Sequence, residues 1–240
     1  KEPIEVYAIT NPGIKVPERS ELKGKMKEIK PSVAVLPFIN MSADPENEYF
    51  SDGIAEEILN ALVRVEGLQV TARTSSFFFK GKNMDVREIG TQLGVTHVLE
   101  GSVRKAGNRV RITAQLVSCV DGYHLFSETY DRTLEDIFAV QDEIASKITN
   151  RLREKLGEEQ HTQQLVKAPT MNMEAYETYL RGLYYFNQWG DESMGKAIPF
   201  FEKAIEMQDD FGLPHARLGL CYFFQAFGGK ISWELARSKA

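Results

Sequence analysis

The stretch of residues 31–72 constrains the fold of this chain more than any other, because it predicts a strand, a helix and a strand in succession. Residues 33–36 form a short apolar run rich in β-branched side chains, which is typical of a buried strand. Apolar residues then recur at helical spacing over residues 50–65, and a second strand-like run covers residues 68–72. A unit of this kind normally has parallel strands and a right-handed crossover, so the sequence predicts an α/β core.

The predicted helix has a candidate start at Ser51 or Asp52, whose side chains can cap the first turn. Glu56 and Glu57 then fall in the first turn, where the positive end of the helix dipole favours carboxylates. Asp52 with Glu56 and Glu57 could in principle pair as acid and base. Because the dipole accounts for their position, the sequence predicts no catalytic role for them.

The composition is that of an ordinary globular protein, with 42% hydrophobic and 26% charged residues among 240, which suits one or two domains. The net charge of −5 argues against nucleic-acid binding through bulk electrostatics. Cys119 and Cys221 lie far apart, with no C-x-x-C motif and no Cys/His cluster, so neither a disulfide framework nor a zinc site is expected. The sequence has no apolar run of membrane-spanning length. We therefore expect no membrane contact and a cytoplasmic location.

A polar segment follows the predicted second strand, with Arg73 and the hydroxyls of residues 74–76 ahead of three phenylalanines. Its simplest interpretation is a loop whose hydroxyls bond the backbone while the phenylalanines cover the sheet. The alternative is a small anion or peptide site, because open α/β sheets bind ligands at the carboxyl ends of their strands. Such a ligand site would combine this segment with the loop after the first strand. Its candidate residues are Asn40, Ser42, Asp44, Arg73, Thr74, Ser75 and Ser76.

The apolar pattern changes from helical to alternating between residues 96 and 130, which predicts a three-stranded antiparallel meander. Residues 85–94 before it predict a short helix with Asp85 at its start and Gly94 at its end, and residues 133–156 after it predict a long one. A row of basic side chains is interpreted as a solvated face that protects an edge of the sheet. These residues are Arg104, Lys105, Arg109 and Arg111.

Five separated motifs, in a fixed order, carry a resemblance to a known family. They are Val33-Ala34-Val35-Leu36-Pro37-Phe38, Tyr49-Phe50-Ser51-Asp52-Gly53-Ile54, Arg73-Thr74-Ser75-Ser76, Val98-Leu99-Glu100-Gly101-Ser102-Val103-Arg104 and Tyr130-Asp131-Arg132. Residues 31–156 thereby resemble the cytoplasmic family similar to the TolB amino-terminal domain. The resemblance implies an α/β module linked to cyclase catalytic domains or winged-helix regulators on one side and to tetratricopeptide repeats on the other. No catalytic residues are ascribed to that module, so none is carried over to this chain.

The first residues carry a second resemblance. Residues 5–10, Glu-Val-Tyr-Ala-Ile-Thr, followed by Pro17-Glu18-Arg19, are similar to the last strand and exit linker of class III adenylate/guanylate cyclase catalytic domains. The resemblance implies that residues 1–30 are the tail of an upstream catalytic domain and its linker. Since the chain starts without methionine, we expect it to be a fragment of a longer bacterial protein.

The C-terminal third has the spacing of helical repeats. Gly182 with Tyr185 and Gly219 with Tyr222 recur 37 residues apart, near the 34-residue tetratricopeptide period. In the second helix of the first repeat, small, large and small residues occupy the expected positions at Ala197, Phe201 and Ala204. We therefore predict a polar linker over residues 157–169 and the start of an all-α repeat array over residues 170–240. The candidate protein-interaction residues are Tyr184, Asn187, Gln188 and Trp189.

The sequence as a whole predicts a mixed parallel/antiparallel α/β sheet domain followed by an all-α segment, with no cofactor, no metal and no active site. The four histidines, His97, His124, His161 and His215, lack metal-ligand spacing. The function expected is a non-catalytic regulatory and protein-interaction region of a bacterial class III adenylate/guanylate cyclase, with a protein or peptide partner and the option of a homodimer. The alternative is a small-ligand-sensing domain of a signalling or transcription-regulatory protein.

Overall fold

A computed structural model describes residues 31–156 and 164–239. The predicted tail at residues 1–30 and most of the predicted linker lie outside the described residues. The strands are β1 (Ser32–Val35), β2 (Ile39–Asn40), β3 (Gln69–Val70), β4 (His97–Ala106), β5 (Arg109–Ser118) and β6 (His124–Thr133). The helices are α1 (Glu48–Val63), α2 (Arg73–Phe77), α3 (Val86–Leu93), α4 (Ile137–Leu156), α5 (Met173–Phe186), α6 (Asp191–Met207), α7 (Gly212–Phe227) and α8 (Trp233–Lys239). Short 3-10 turns at Pro45–Asn47 and Leu134–Asp136 precede α1 and α4.

The strands form one mixed sheet, which confirms the predicted mixed parallel/antiparallel α/β architecture. Its order is β3-β1-β4-β5-β6, and the short strand β2 also pairs with β4. β1 is parallel to β3 and β4, whereas β4, β5 and β6 form the predicted antiparallel meander. The chain passes from β1 through α1 to the parallel strand β3, as the strand–helix–strand pattern predicts.

The start of α1 differs from the prediction. The helix begins at Glu48, one turn early, because Asp44 accepts a 2.9 Å hydrogen bond from the Glu46 amide and starts a 3-10 turn that leads into it. Ser51 and Asp52 are therefore buried inside the helix and do not cap it. Glu56 and its neighbour Glu57 lie in the third turn, where the helix dipole no longer stabilises a carboxylate.

The segment after β3 is not the loop that the sequence predicts. Residues 73–77 form the short helix α2, whose Ser75 and Ser76 amides donate to the Ala72 carbonyl. Tertiary contacts outweigh the weak helix propensity of this run, since Arg73 pairs with a buried carboxylate and Ser76 is fully buried. The phenylalanines divide: Phe79 packs under the sheet as expected, whereas Phe78 is 64% exposed.

The row of basic residues on the meander is only partly solvated. Arg104, Arg109 and Arg111 are exposed, and Arg111 pairs with Asp131 across the strands at 2.8 Å. The prediction is wrong for Lys105, which points to the opposite face and approaches α5. Strand alternation explains the difference, because Lys105 follows Arg104 directly and so lies on the other side of the sheet.

The helices of the C-terminal third pack closely where the sequence has small residues. A Cβ added to Gly182 on α5 would lie 2.6 Å from the Phe201 ring of α6, so the two helices touch at this point. Ala197, Phe201 and Ala204 are fully buried, as the small–large–small pattern predicts. In the described part of this region, the regular secondary structure is α-helix, with turns between the helices.

One apolar core runs through the described residues, from the sheet through α1 and α4 into α5, α6 and α7. The approach of α1 to α5 depends on Gly53, where an added Cβ would lie 2.8 Å from Leu180. The Tyr176 ring of α5 lies 4.7 Å from the Phe138 ring of α4, centroid to centroid. The α/β part (residues 31–156) and the helical part (residues 164–239) are therefore docked on each other.

The end of the predicted linker takes part in this docking. Leu165 and Val166 are buried, and their backbone amides donate to Asp142 Oδ1 on α4 at 2.6 and 2.7 Å. A carboxylate that accepts two amide hydrogen bonds holds the backbone in place. The segment 164–169 is thus attached to the α/β part before α5 begins.

Candidate functional site

The contact between the α/β part and the helical part is centred on one buried carboxylate. Glu56 Oε2 on α1 accepts a 2.8 Å hydrogen bond from Arg73 Nε on α2 and another of 2.8 Å from Asn187 Nδ2 at the end of α5. The Arg73 guanidinium also lies 3.8 Å from the centre of the Phe77 ring. A residue predicted to bind ligand and one predicted to bind protein thus meet at the same oxygen. We call these three residues, Arg73, Glu56 and Asn187, the Glu56 junction.

Two lysines add to the contact. Lys80 Nζ lies 2.7 Å from Glu48 Oε1 and 2.6 Å from Asp52 Oδ2, and 5.8 Å from the centre of the Tyr184 ring on α5. Burial raises the pKa of the Asp52 carboxyl against the opposing effect of Lys80. Lys105 Nζ on β4 is 2.8 Å from Glu177 Oε1 on α5, and the Lys105 side chain is largely buried. These contacts join the elements around the Glu56 junction in one orientation.

A cavity of about 290 Å³ lies between the start of α1 and the C-terminal half of α5. Glu46, Glu48 and Tyr49 line it from the α/β part, and Tyr184 and Gln188 from the helical part. Two of the four residues predicted to bind protein therefore face a cavity. Aromatic rings beside charged groups suit a peptide side chain with an apolar stem and a polar end.

The polar groups of the first predicted ligand loop stabilise the loop itself. Asn40 Oδ1 accepts from the Ser42 amide at 2.9 Å, and Ser42 Oγ accepts from the Lys105 amide at 3.0 Å. Asp44 holds the turn that starts α1. Asn40 also lines a groove of about 870 Å³ over the open face of the sheet. Its polar lining on that face consists of Glu100, Ser102, Thr113 and Gln115.

The second predicted ligand segment lines a different cavity. Thr74 and Ser75 face a shallow depression of about 410 Å³ with Phe78 and Phe79. Ser76 is fully buried, and its Oγ has no hydrogen-bond partner among the described residues. Arg73 belongs to the Glu56 junction. The two sets of predicted ligand residues thus line separate cavities, and ligand binding at either one stays a prediction.

An exposed aromatic surface lies on α7 and α8, which the sequence reasoning missed. The rings of Phe223 and Phe227 stack 6.3 Å apart, and Phe223 lies 5.5 Å from Trp233. Trp189, one of the predicted interaction residues, contacts Phe224 of the same surface at 5.5 Å and is 57% exposed. We call this set of five residues the aromatic patch. The four-residue spacing of Phe223 and Phe227 was the available signal.

The chain is similar to proteins named as cyclases and as transcriptional regulators. The sequence model of the family described as "HilA/YgeH-like transcriptional regulator, second domain" matches residues 29–147. "Putative adenylate cyclase 3" of Rhizobium meliloti is 47% identical over 193 residues, which are 80% of this chain and 32% of that protein. "Transcriptional regulator HilA" of Salmonella typhimurium is 25% identical over 65% of this chain and 28% of its own length. The chain therefore spans about a third of the length of the curated relatives that it matches.

Solved structures that match part of this chain include TolB from Acinetobacter baumannii, with a TM-score of 0.38 and 16% identity over 52% of this chain and 28% of that one. The C-terminal domain of LpoB from Salmonella enterica has a TM-score of 0.36 and 16% identity over 44% of this chain and 84% of that one. PelC from Paraburkholderia phytofirmans has a TM-score of 0.34 and 18% identity over 51% of this chain and 87% of that one. Within the described ranges, every helix is too short or too polar to cross a membrane.

Proposed function

We propose that this chain is a non-catalytic regulatory and protein-interaction region of a bacterial class III adenylate/guanylate cyclase that acts in cyclic-nucleotide signalling in the cytoplasm. The relative that is 47% identical bears the name of an adenylate cyclase, and this chain matches about a third of it. The motifs of residues 31–156 and the helical spacing of residues 170–240 support a TolB-like module followed by tetratricopeptide-like repeats.

One observation carries the proposal: the helical part is docked on the α/β part through a shared core and the Glu56 junction. A partner that binds the helical part therefore contacts a unit whose orientation relative to the sheet is fixed by packing. Packed elements of this kind transmit a shift as a unit, because a filled core does not deform continuously. The helical part receives the signal and the α/β part passes it on.

The partner in this proposal is a protein or peptide that contacts the helices. The aromatic patch, which includes Trp189, offers exposed aromatic surface of the kind that dominates interface energetics. The cavity lined by Tyr184 and Gln188 offers a pocket for one side chain. Asn187, in contrast, is used inside the molecule at the Glu56 junction.

The test compares cyclic-nucleotide levels in cells that express the full-length protein or its variants. The variant F227S/W233S removes two exposed rings of the aromatic patch, whereas V120S/Y123S removes exposed apolar surface at the β5–β6 turn as a control. We expect the patch variant to change the cyclic-nucleotide level about fivefold, within the usual range of coupling free energies, and the control to leave it as in the parent.

Deletion of residues 31–240 from the full-length protein completes the test. We expect the truncated protein to keep cyclase activity in vitro and to give a cyclic-nucleotide level in cells that differs from that of the full-length parent. Equal cyclic-nucleotide levels in all the variants would overturn the regulatory role. Cyclase activity in residues 31–240 alone would overturn the non-catalytic assignment.

The family match favours a second candidate, a small-ligand-sensing domain of a signalling or transcription-regulatory protein. The groove of about 870 Å³ near Asn40 has the size of a small-molecule site. Thermal shift with a metabolite panel tests it. A stabilising metabolite should lose its effect in the variant Ser102→Trp, which fills the groove, and keep it in Val120→Trp at the exposed β5–β6 turn, outside the groove. A panel without any stabilising compound would count against this function.

A further inference from the structure

A cavity of about 320 Å³ lies at the C-terminal end of α1, between α1, the segment 164–169, α5 and α7. Three basic side chains from three different parts of the chain line it: Arg64 directly after α1, Lys167 of the segment 164–169, and Arg217 of α7. Asn60 adds an amide, and Val63 and Leu213 add apolar surface. The cavity belongs to neither of the predicted ligand segments.

The three basic groups form no close salt bridge with any described residue. The Arg217 guanidinium lies 5.2 Å from the centre of the Phe186 ring, a contact that orients it without satisfying its charge. Three basic groups therefore converge on one cavity in a chain whose net charge is −5.

Among the described residues, Glu57 is the one carboxylate that lines this cavity. Burial and, to a smaller extent, the neighbouring charge of Glu56 raise the pKa of the Glu57 carboxyl to about 7, against the opposing effects of Arg64, Arg217 and a hydrogen bond from Asn60. Near neutral pH, Glu57 is therefore ionised in only about half of the molecules. The groups that line the cavity thus carry a net positive charge of between two and three.

We propose that this cavity binds a small anionic ligand, with a phosphate or carboxylate group held by Arg64, Lys167 and Arg217. Guanidinium groups present paired donors that match the oxygens of both kinds of anion, and a lysine adds a mobile point charge. The apolar wall of Val63 and Leu213 suits a ligand with a short carbon body. The volume fits a metabolite of ordinary size.

The position of the cavity gives the ligand a structural effect. Arg64 belongs to the α/β part, whereas Lys167 and Arg217 belong to the helical part, so a bound anion joins the two. The anion would make this connection at the C-terminal end of α1, one to two turns after Glu56. The ligand therefore stabilises the docked arrangement, because it binds only where the three basic groups are together.

Calorimetric titration of the full chain with three probes tests the proposal: sulfate, glycerol 3-phosphate and succinate. We expect at least one to bind, and to bind about tenfold more weakly to the variants Arg64→Gln and Arg217→Gln. Arg104→Gln, on the exposed face of the sheet, is the matched control and should bind as the parent does. Preference for the phosphate ester or for succinate identifies the chemical source of the anion.

The pH dependence provides a second, independent readout. The charged and titratable groups around Glu57 are Glu56, Arg64, Lys167, Tyr176, Tyr179 and Arg217. Sulfate keeps its charge between pH 6 and pH 8, so its affinity should fall about threefold or more over this range as Glu57 ionises. Glu57→Gln should abolish most of this fall.

Two results would overturn the proposal. One is the absence of binding by all three probes at millimolar concentration. The other is binding that Arg64→Gln and Arg217→Gln leave unchanged, which would place the anion elsewhere. Circular dichroism of each variant checks that it folds, and neither result depends on whether the full-length protein is a cyclase.

Discussion

Gly101 is the residue at which the meander leaves no room for a side chain. A Cβ at this position would lie 2.3 Å from the Thr113 carbonyl oxygen and 3.0 Å from the Phe38 ring. Neither the strand backbone nor the buried ring can move away cheaply. We expect Gly101→Ala to lower the free energy of unfolding by about 2 kcal/mol or more, measured by urea denaturation.

Gly195 is the matched control for this substitution. It lies on the exposed face of α6, where no atom comes within 4 Å of an added Cβ. Gly195→Ala should raise the free energy of unfolding by about 0.5–1 kcal/mol, because alanine favours the helix interior. Equal effects of the two substitutions would contradict the close contact at Gly101.

Glu56 is the shared hydrogen-bond acceptor of the Glu56 junction. Glu56→Ala leaves Arg73 and Asn187 without their shared acceptor in a largely buried place. We expect a loss of about 2–3 kcal/mol in the free energy of unfolding. Glu192→Ala, which breaks the exposed pair with Lys196, should leave stability unchanged within error. If the two variants unfold alike, the junction is not a stabilising contact.

At the scale of elements, the packing of α5 on α6 depends on one small residue facing one large one. Gly182→Ala places a methyl group against the buried Phe201 ring and should destabilise the protein by about 1–3 kcal/mol. Phe201→Leu makes room for that methyl group. The double variant should lose less free energy of unfolding than the sum of the losses in the two single variants, as measured by a double-mutant cycle in urea. Full additivity would show that the helices do not meet at this pair.

At the scale of the whole molecule, the shared core predicts one cooperative unfolding transition. Both tryptophans, Trp189 and Trp233, belong to the helical part, so fluorescence reports that part alone. Far-ultraviolet circular dichroism reports both parts. We expect the two signals to have the same urea midpoint, as two-state unfolding requires. A fluorescence midpoint clearly below the dichroism midpoint would mean that the helical part unfolds separately.

The pH dependence of stability is also a property of the whole molecule, and Glu57 contributes a defined share. Because the pKa of this carboxyl rises from an ordinary value near 4.5 to about 7 on folding, the folded state binds more protons between these values. Its contribution is therefore complete below pH 4.5 and is lost as the pH rises to 7. Glu57→Gln should remain folded and be more stable than the parent above pH 7 by about 1–2 kcal/mol, allowing for partial exposure.

The candidate sites show how far residue patterns reach. Asp85 and Gly94 delimit α3 as predicted, because capping is a local interaction between near neighbours. The partners of Arg73 and Asn187 were not predictable, since Glu56 lies 17 and 131 residues away from them. The same holds for Arg64, Lys167 and Arg217, which no local pattern groups together.

The sequence by itself determined the periodicities: a βαβ start, a meander and paired helices. Those follow from contacts between near neighbours, where the alternation of apolar side chains selects strand or helix. Only the tertiary structure decided that Lys105 leaves the solvated row, that residues 73–77 form a helix, and that α5 docks on α1. Those outcomes depend on which distant surfaces become buried together. A charged group can be buried only where another part of the chain supplies a partner for it.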